Sequence, residues 1–470
     1  MVSDSSPLRP LKRLLGLAHW PDSPNRRIFR AAFVVALIGF LAKGATAFKE
    51  LAIARVFGRS DAIDSYLIAY LVPSFAVMLL MGAFSSCVIP VFVQLRQEKG
   101  TDAAQRLFSS TLLLTVATLA VVALALGLGE PFFLRFLGSC FSAEKLRLTR
   151  DLFFWLLPFV LFSGISTFAT SVLNAREKFA IPACVALITP AVTIVLIVAL
   201  RSWGVLGLVA GTVGGSALEA VFLFAMLRAH GMRLTPRWHG FDDPLRRVLE
   251  QMAPMVAGSF LMGGTAIVDQ SMAAMLSPGS VAALSYGSKA VGFVLAIGAT
   301  ALSTATLPYL SQMAAKNDWQ GCRHTMKRYA TLVALTTIPI MAAFMVFSRP
   351  LVALLFQKGA FNSADTDLVS RVQLCYAIQI PFYIAGMLFV RFLHAIRRNE
   401  ILMYGSALNL VLDIIFNLVL MRRFGVAGIA LSTSLVYFFS LGYLGLSSAR
   451  ILRQQGAAKL ASVSEAVAAQ

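Results

Sequence analysis

Charge is what this chain has least of. Only 13% of its 470 residues are Asp, Glu, Lys or Arg, while 58% are hydrophobic. A soluble domain carries about 25% charged residues, so a water-soluble protein is excluded, and the mean hydropathy of +0.76 agrees. Acidic residues are the scarcer sign, 22 against 41 Lys plus Arg, leaving a net charge of +19. In a soluble chain that excess would point to nucleic acid. Between apolar runs it marks the basic loops that orient membrane helices, and no nucleic-acid partner is expected. The five cysteines, Cys87, Cys140, Cys184, Cys322 and Cys375, stand singly with no CxxC, which argues against a disulfide framework or a zinc site. There is no GxxxxGK[ST] phosphate loop, no HExxH and no GxSxG. ATP as the direct energy source and the common hydrolase chemistries are therefore not expected. The polar stretches are too short to form a catalytic domain, and the expectation is a protein that is not an enzyme. The polar, basic start of the chain lacks a signal-peptide cleavage pattern, so the first apolar helix is expected to remain as an anchor.

What the chain does have is apolar runs of about 20 residues, each long enough to cross about 30 Å of hydrocarbon. We predict twelve spans: 31–54, 65–93, 108–128, 152–174, 181–200, 204–227, 251–276, 282–309, 329–355, 372–396, 401–421 and 425–448. The fold class is an all-α polytopic membrane protein. About 25 Lys and Arg fall on the side of the N-terminal tail and about 12 on the other, so the positive-inside rule places both termini in the cytoplasm.

The two halves repeat weakly but in order. Ala83-Phe84-Ser85-Ser86 with Pro90 matches Ala301-Leu302-Ser303-Thr304 with Pro308. Leu173-Asn174-Ala175 matches Leu393-His394-Ala395, and Gly204-Val205-Leu206-Gly207 matches Gly425-Val426-Ala427-Gly428, at offsets of 218, 220 and 221. Six spans per half is an even number, so the halves share one orientation and form a parallel repeat, with a central cavity between two six-helix lobes. The expected organisation is a cytoplasmic basic tail (1–30), an N-terminal lobe (31–228), a cytoplasmic linker (229–250), a C-terminal lobe (251–449) and a cytoplasmic tail (450–470).

Ionisable residues inside spans cost about 2.5–3.5 kcal/mol each at a helix centre and are the best functional clue. Lys43 and Lys49 lie in the first span with Glu50 beside them, and Lys289 lies in the eighth. Snorkelling to the headgroups would account for lysines near a span end. Together, cations from both halves suit a cavity that binds an anion of more than one charge, such as a diphosphate. Acidic groups lie elsewhere. Asp269 is in the middle of the seventh span, and Asn409, Asp413 and Asn417 recur at i, i+4, i+8 on one face of the eleventh. With Ser432 and Thr433 they offer oxygen ligands for a coupling sodium ion, or a proton on Asp413; interhelical hydrogen bonding is the plainer alternative. Asp365-Thr366-Asp367 is a DxD of the kind some sugar transferases use, but the pattern is short and common, and a solvated loop is the much plainer reading. No further cofactor is expected.

These residues carry a resemblance. The run Lys49 to Gly100, and the segment Leu355-Phe356-Gln357-Lys358-Gly359-Ala360-Phe361, resemble the MurJ/MviN lipid II flippases, within the multidrug/oligosaccharidyl-lipid/polysaccharide exporter superfamily. The resemblance implies alternating access and an undecaprenyl-diphosphate-linked saccharide, lipid II or a related cell-wall or surface-glycan precursor, moved from the inner to the outer leaflet of a bacterial cytoplasmic membrane. It implies roles in peptidoglycan biosynthesis, cell wall biogenesis and cell shape. Lys43, Lys49 and Lys289 fall where the family has cavity arginines that bind the diphosphate. Glu50 and Asp64 fall where it has acidic residues of the cavity or gate. The second span around Ala76–Met81 lacks the family's arginine and glutamate, and the peptidoglycan members usually continue beyond twelve spans. An exopolysaccharide-precursor flippase and a small-molecule/cation antiporter of the same superfamily are the alternatives. A monomer contacting membrane lipids is expected, and the membrane potential could help move the anion.

Overall fold

The computed structural model describes residues 24–468 apart from 236 and 239. The expected basic tail lies outside the described residues up to residue 23. Fourteen α-helices account for nearly all of the described chain: α1 (Pro24–Phe57), α2 (Asp61–Leu128), α3 (Glu130–Leu137), α4 (Ala143–Ala175), α5 (Ala180–Val185), α6 (Ile188–Ala199), α7 (Val205–Ala229), α8 (Asp243–Ala274), α9 (Ser280–Ala315), α10 (Trp319–Phe356), α11 (Ser363–Ala377), α12 (Gln379–Ala395), α13 (Asn399–Phe424) and α14 (Val426–Ala468). Ten helical segments are long and apolar enough to cross a membrane, α5 with α6 and α11 with α12 each counting as one. The 68-residue α2 holds two spans, and the 34-residue α1 completes twelve.

Several boundaries differ from the sequence reading, for local reasons. Two separate spans were expected at 65–93 and 108–128. One helix runs through both because the polar stretch between them is made of strong helix formers, with Gln94 donating to Glu98 one turn on. Only Gly100 interrupts it, at φ 82° and ψ −174°, a conformation reserved for glycine. The expected span 181–200 is broken between α5 and α6. Pro190 has no N–H to offer the carbonyl of Ala186, where the break falls. Pro381 likewise leaves the carbonyl of Ala377 without a helical partner, and the break falls at Ile378, between α11 and α12. The tenth span begins earlier than expected, at Ser363, because Asn362 and Asp365 form a capping box there.

The backbone repeats as the sequence does. Left-handed residues stand at Gly58 and Gly279, Gly100 and Asn317, Glu177 and Arg397, and Gly204 and Gly425, at offsets between 217 and 221. Side-chain contacts follow: Ser85 Oγ lies 2.6 Å from Ser171 Oγ, and at the equivalent place Arg391 Nε donates to Ser303 Oγ at 2.8 Å. Within the first lobe α2 packs on α4, α4 on α7 and α6 on α7; within the second, α9 packs on α12, α12 on α14 and α13 on α14. Two glycines allow the close packing of α6 on α7. A Cβ on Gly211 would lie 2.6 Å from Thr193 Cα, and one on Gly215 2.8 Å from Thr189 Cα, the close approach that drives packing where lipid removes the hydrophobic effect between helices. The lobes meet where α2 runs against α8 and where the turns at one end interlock.

Candidate functional site

The turns 58–60, 138–142, 277–279 and 357–362 lie at one end of the bundle, and there the two lobes are sealed together. Asp64, 1% exposed, accepts from the backbone N–H of Gly279 at 2.6 Å and of Ala282 at 2.9 Å. A carboxylate of one lobe thus caps the first turn of α9 in the other, where the helix dipole favours negative charge. Lys145 of α4 holds this carboxylate from behind, donating to Asp64 at 3.0 Å and to Asp61 at 2.6 Å, with its ammonium 4.3 Å from the Phe141 ring centre. Arg59 crosses the same boundary, donating to Asp365 at 2.9 Å and to the carbonyl of Pro278 at 3.2 Å. Ala360 N–H donates to the carbonyl of Arg55 at 2.9 Å, and Tyr286 Oη to the carbonyl of Gly58 at 3.1 Å. The Leu355–Phe361 segment follows from this geometry. Phe356 and Phe361 pack around Tyr286, and Gly359, at φ 71°, passes so close to the Arg55 carbonyl that a Cβ would strike it.

Beneath the seal lies a cavity between the lobes, with roughly 690 Å³ of atom-free space, part of it open to solvent. Lys49, Glu50 and Ile53 of α1, Tyr66, Tyr70 and Ser74 of α2, Gln270 of α8, and Ser285, Tyr286 and Lys289 of α9 line it. Glu50 joins the lobes. Lys49 Nζ is 3.3 Å from one of its oxygens and Lys289 Nζ is 3.2 Å from the other. Two cations sharing one anion leave the trio with a net positive charge on the cavity wall. The three groups differ in access: Glu50 is 17% exposed and Lys289 40%, so the ammonium of Lys289 is the one most open to an incoming anion. Tyr66 stacks on Tyr70 at 5.7 Å and pairs with Thr212 at 2.9 Å, which fixes the wall opposite. Lys43 is not part of the trio. It is exposed, six residues or about 9 Å along α1, with no ion pair among the described residues. Asp64 belongs to the seal rather than to the cavity wall.

A second polar cluster sits inside the C-terminal lobe. Asp269 accepts from Asn417 Nδ2 at 2.8 Å and from Thr433 Oγ1 at 3.1 Å, and Asp413, one turn before Asn417 on α13, belongs to the same buried cluster. Asp413 Oδ2 and Asn417 Oδ1 are buried without a partner. Asn409, expected in this cluster, pairs instead with Ser440 at 3.1 Å, leaving Asn417 as the asparagine that reaches Asp269. The atoms left without a partner are oxygens, the kind of ligand a hard cation prefers. The Asp365/Asp367 pattern does not converge on anything. Asp365 caps α11 and binds Arg59, and Asp367 binds Arg349 at 2.6 Å. Lys145, Arg59 and Gln270 were not singled out in the sequence. Only the Asn362–Asp365 spacing, a capping box, was locally legible.

Comparisons with known proteins identify the family and the fold. The family model described as "Lipid II flippase MurJ" matches residues 53–469. Curated relatives include the probable lipid II flippase MurJ of Rickettsia prowazekii, 23% identical over 89% of this chain and 83% of its own. That of Vibrio cholerae is 25% identical over 89% and 82%, and the lipid II flippase MurJ of Burkholderia cenocepacia is 27% identical over 75% and 70%. Among solved structures, a lipid II flippase MurJ in an inward closed conformation superposes with a TM-score of 0.76 at 21% identity, covering 88% of this chain and 87% of that one. An inward-facing multidrug resistance MATE family transporter of the MOP superfamily gives 0.74 at 12% identity, covering 90% and 99%. At these identities the structural matches establish the fold: two six-helix lobes around a central cavity.

Proposed function

The chain belongs to the lipid II flippase MurJ family, and from that membership we propose that it moves an undecaprenyl-diphosphate-linked saccharide across the bacterial cytoplasmic membrane by alternating access. The observation that carries this reading is the Glu50-bridged pair Lys49 and Lys289, drawn from both lobes and exposed to the cavity just beneath the seal. A diphosphate entering from the unsealed side displaces Glu50 from one or both lysines. The loss of that bridge frees the lobes to rock apart at the sealed end. The charge excess of the opposite end supports a sealed end outside and both termini in the cytoplasm. The membrane potential then assists, by about 2.3 kcal/mol per charge per 100 mV on an anion leaving a negative interior. The Asp269–Asp413 cluster resets the carrier by taking up a cation. Two carboxyls in one buried cluster call for one shared positive charge, and the orphaned Asp413 Oδ2 and Asn417 Oδ1 supply the free ligand positions. Sodium fits this oxygen set, and a proton on Asp413 is the simpler variant. Sodium raising the melting temperature of the wild type but not of Asp413→Asn would support the metal. An equal rise in both proteins would refute it.

The deciding experiment is rescue of a bacterium depleted of its lipid II flippase, scored by lipid II appearing in the outer leaflet. Rescue by the wild type, lost in Lys49→Ala and Lys289→Ala proteins that insert normally, supports the proposal. Rescue that survives both substitutions refutes the cavity mechanism. Failure of the inserted wild type refutes lipid II as substrate and turns the same diphosphate site toward an exopolysaccharide or surface-glycan precursor.

A further inference from the structure

The end of the bundle opposite the seal carries two arginines that the cavity does not use. Asp64 of α2 and Lys145 of α4 meet at the seal. From there α2 runs about 48 Å to Arg96, and α4 about 46 Å to Arg176, at about 1.5 Å per residue. That is the depth of a bilayer with its headgroups, so both guanidiniums stand at the far lipid–water boundary. The packing of α2 on α4 closes just short of them, with Phe92, Leu95, Val172 and Leu173 buried. Arg176 Nη1 is enclosed and has no hydrogen-bond partner, although the side chain as a whole is only half buried and Arg96 is exposed. Burial and the charge of Arg96 together push the Arg176 guanidinium below its ordinary range. Neither arginine makes an ion pair among the described residues. Glu98, two residues from Arg96, accepts from Gln94 instead. Two like charges within reach of each other, one with a buried N–H left unpaired, cost free energy that a shared anion offsets.

The second lobe shows the same level without the arginines. The left-handed pairs Gly100 with Asn317 and Glu177 with Arg397 set the register here. Arg96, four residues before Gly100, falls on Met313, and Arg176, just before Glu177, falls on Ile396. Both are partly buried apolar residues packed against the core. One lobe thus closes this end with hydrocarbon and the other with two guanidiniums. The α4 C-terminus favours one cation through its dipole, and Arg176 at the C-cap takes that place. The dipole accounts for neither the second cation nor the orphaned N–H. A phosphate accounts for both: its oxygens match the guanidinium fork, and one phosphate between two arginines turns repulsion into attraction. Phospholipid headgroups hold their phosphates at this same level of the membrane.

We propose that Arg96 and Arg176 form a binding site for a lipid-borne phosphate at the end of the first lobe opposite the seal, separate from the cavity lysines. The site stands whatever the cavity carries. The test is the melting temperature of the full-length protein in an uncharged detergent. It is titrated with dioctanoyl-phosphatidylglycerol, with undecaprenyl diphosphate and with inorganic phosphate. The parent protein carries Lys49→Ala and Lys289→Ala, so that the cavity does not contribute. The expected result is a saturable rise with a phosphate-bearing lipid. Its half-saturation should move up about tenfold in Arg96→Gln and in Arg176→Gln, the loss of one charge-assisted pairing. It should stay unchanged in Lys178→Gln, an exposed cation two residues on. Without lipid, Arg96→Gln should melt above its parent, because a repulsion is gone, and saturating lipid should reverse that order. Arg96 is exposed, so this variant keeps the fold even if Arg176→Gln does not. A rise with phosphatidylglycerol supports the site with the bilayer as source, and a rise with undecaprenyl diphosphate alone supports it with polyprenyl diphosphates as source. Inorganic phosphate binding as tightly as either lipid overturns the lipid as ligand. No saturable rise, or a rise indifferent to both arginine substitutions, overturns the site.

Discussion

Replacing Asp64 by alanine should unlatch the sealed end. Asp64 accepts two backbone N–H groups from α9 across the lobe boundary, at 2.6 and 2.9 Å, and one ammonium from Lys145 in its own lobe. The bond to Lys145 persists however the lobes move, and Lys145 retains Asp61 at 2.6 Å, so no buried cation is stranded. Only the two bonds to α9 are specific to the closed arrangement. Hydrogen bonds to a charged group contribute about 1.5–3 kcal/mol each, while a helix cap as a whole is worth about 0.5–2 kcal/mol. A combined loss of about 2–4 kcal/mol lies between these measures. It multiplies the population opened at this end by roughly 30 to 1000. The assay is the rate at which a membrane-impermeant maleimide, added from the sealed side, modifies Ser285→Cys on the cavity wall. The exposed Cys140 and Cys184 are first replaced by serine. Asp64→Asn should give a smaller rise, since one carbonyl oxygen still accepts. An Asp64→Ala protein that is normally folded and labels at the unchanged rate would refute the latch.

Gly359→Ala should raise the same labelling rate, because a residue with a side chain at φ 71° costs about 1–3 kcal/mol and its Cβ meets the Arg55 carbonyl; an unchanged rate would mean the 357–361 turn does not seal. Glu50→Gln should tighten binding of an undecaprenyl diphosphate by about tenfold and steepen its salt dependence, since it removes the anion competing for both lysines, an interaction of about 4 kcal/mol at 4 Å near a protein surface. Weaker binding, measured by titration in detergent, would show that Glu50 organises the lysines rather than competing for them. Gly211→Leu should lower the melting temperature without touching the cavity, overpacking α6 against α7 at a cost of about 1–3 kcal/mol; an unaltered melting curve would mean the two helices separate freely.

Much of this was legible because hydrocarbon imposes few solutions. Apolar runs of the right length had to be helices, and matched fragments at nearly constant offset had to be a parallel repeat. Glycines and prolines account for the breaks once their missing Cβ or N–H is placed, although the polar stretch after Gln94, between two expected spans, is helix. Lys49, Glu50 and Lys289 stood out because charge is costly inside a span. The face carrying Asn409, Asp413 and Asn417 was readable from periodicity, but not which turn of it meets Asp269.

The residue order by itself determined the fold class, the twofold plan and the lysines, since each follows from local cost: burying a backbone, breaking a helix or placing a charge in lipid. Only the tertiary structure decided that Asp64 caps a helix more than two hundred residues away, that Asp365 binds Arg59 across the lobe boundary, and that Glu50 bridges two lobes. Those roles depend on which helix ends face each other, and long-range packing sets that, not the sequence around any one of them.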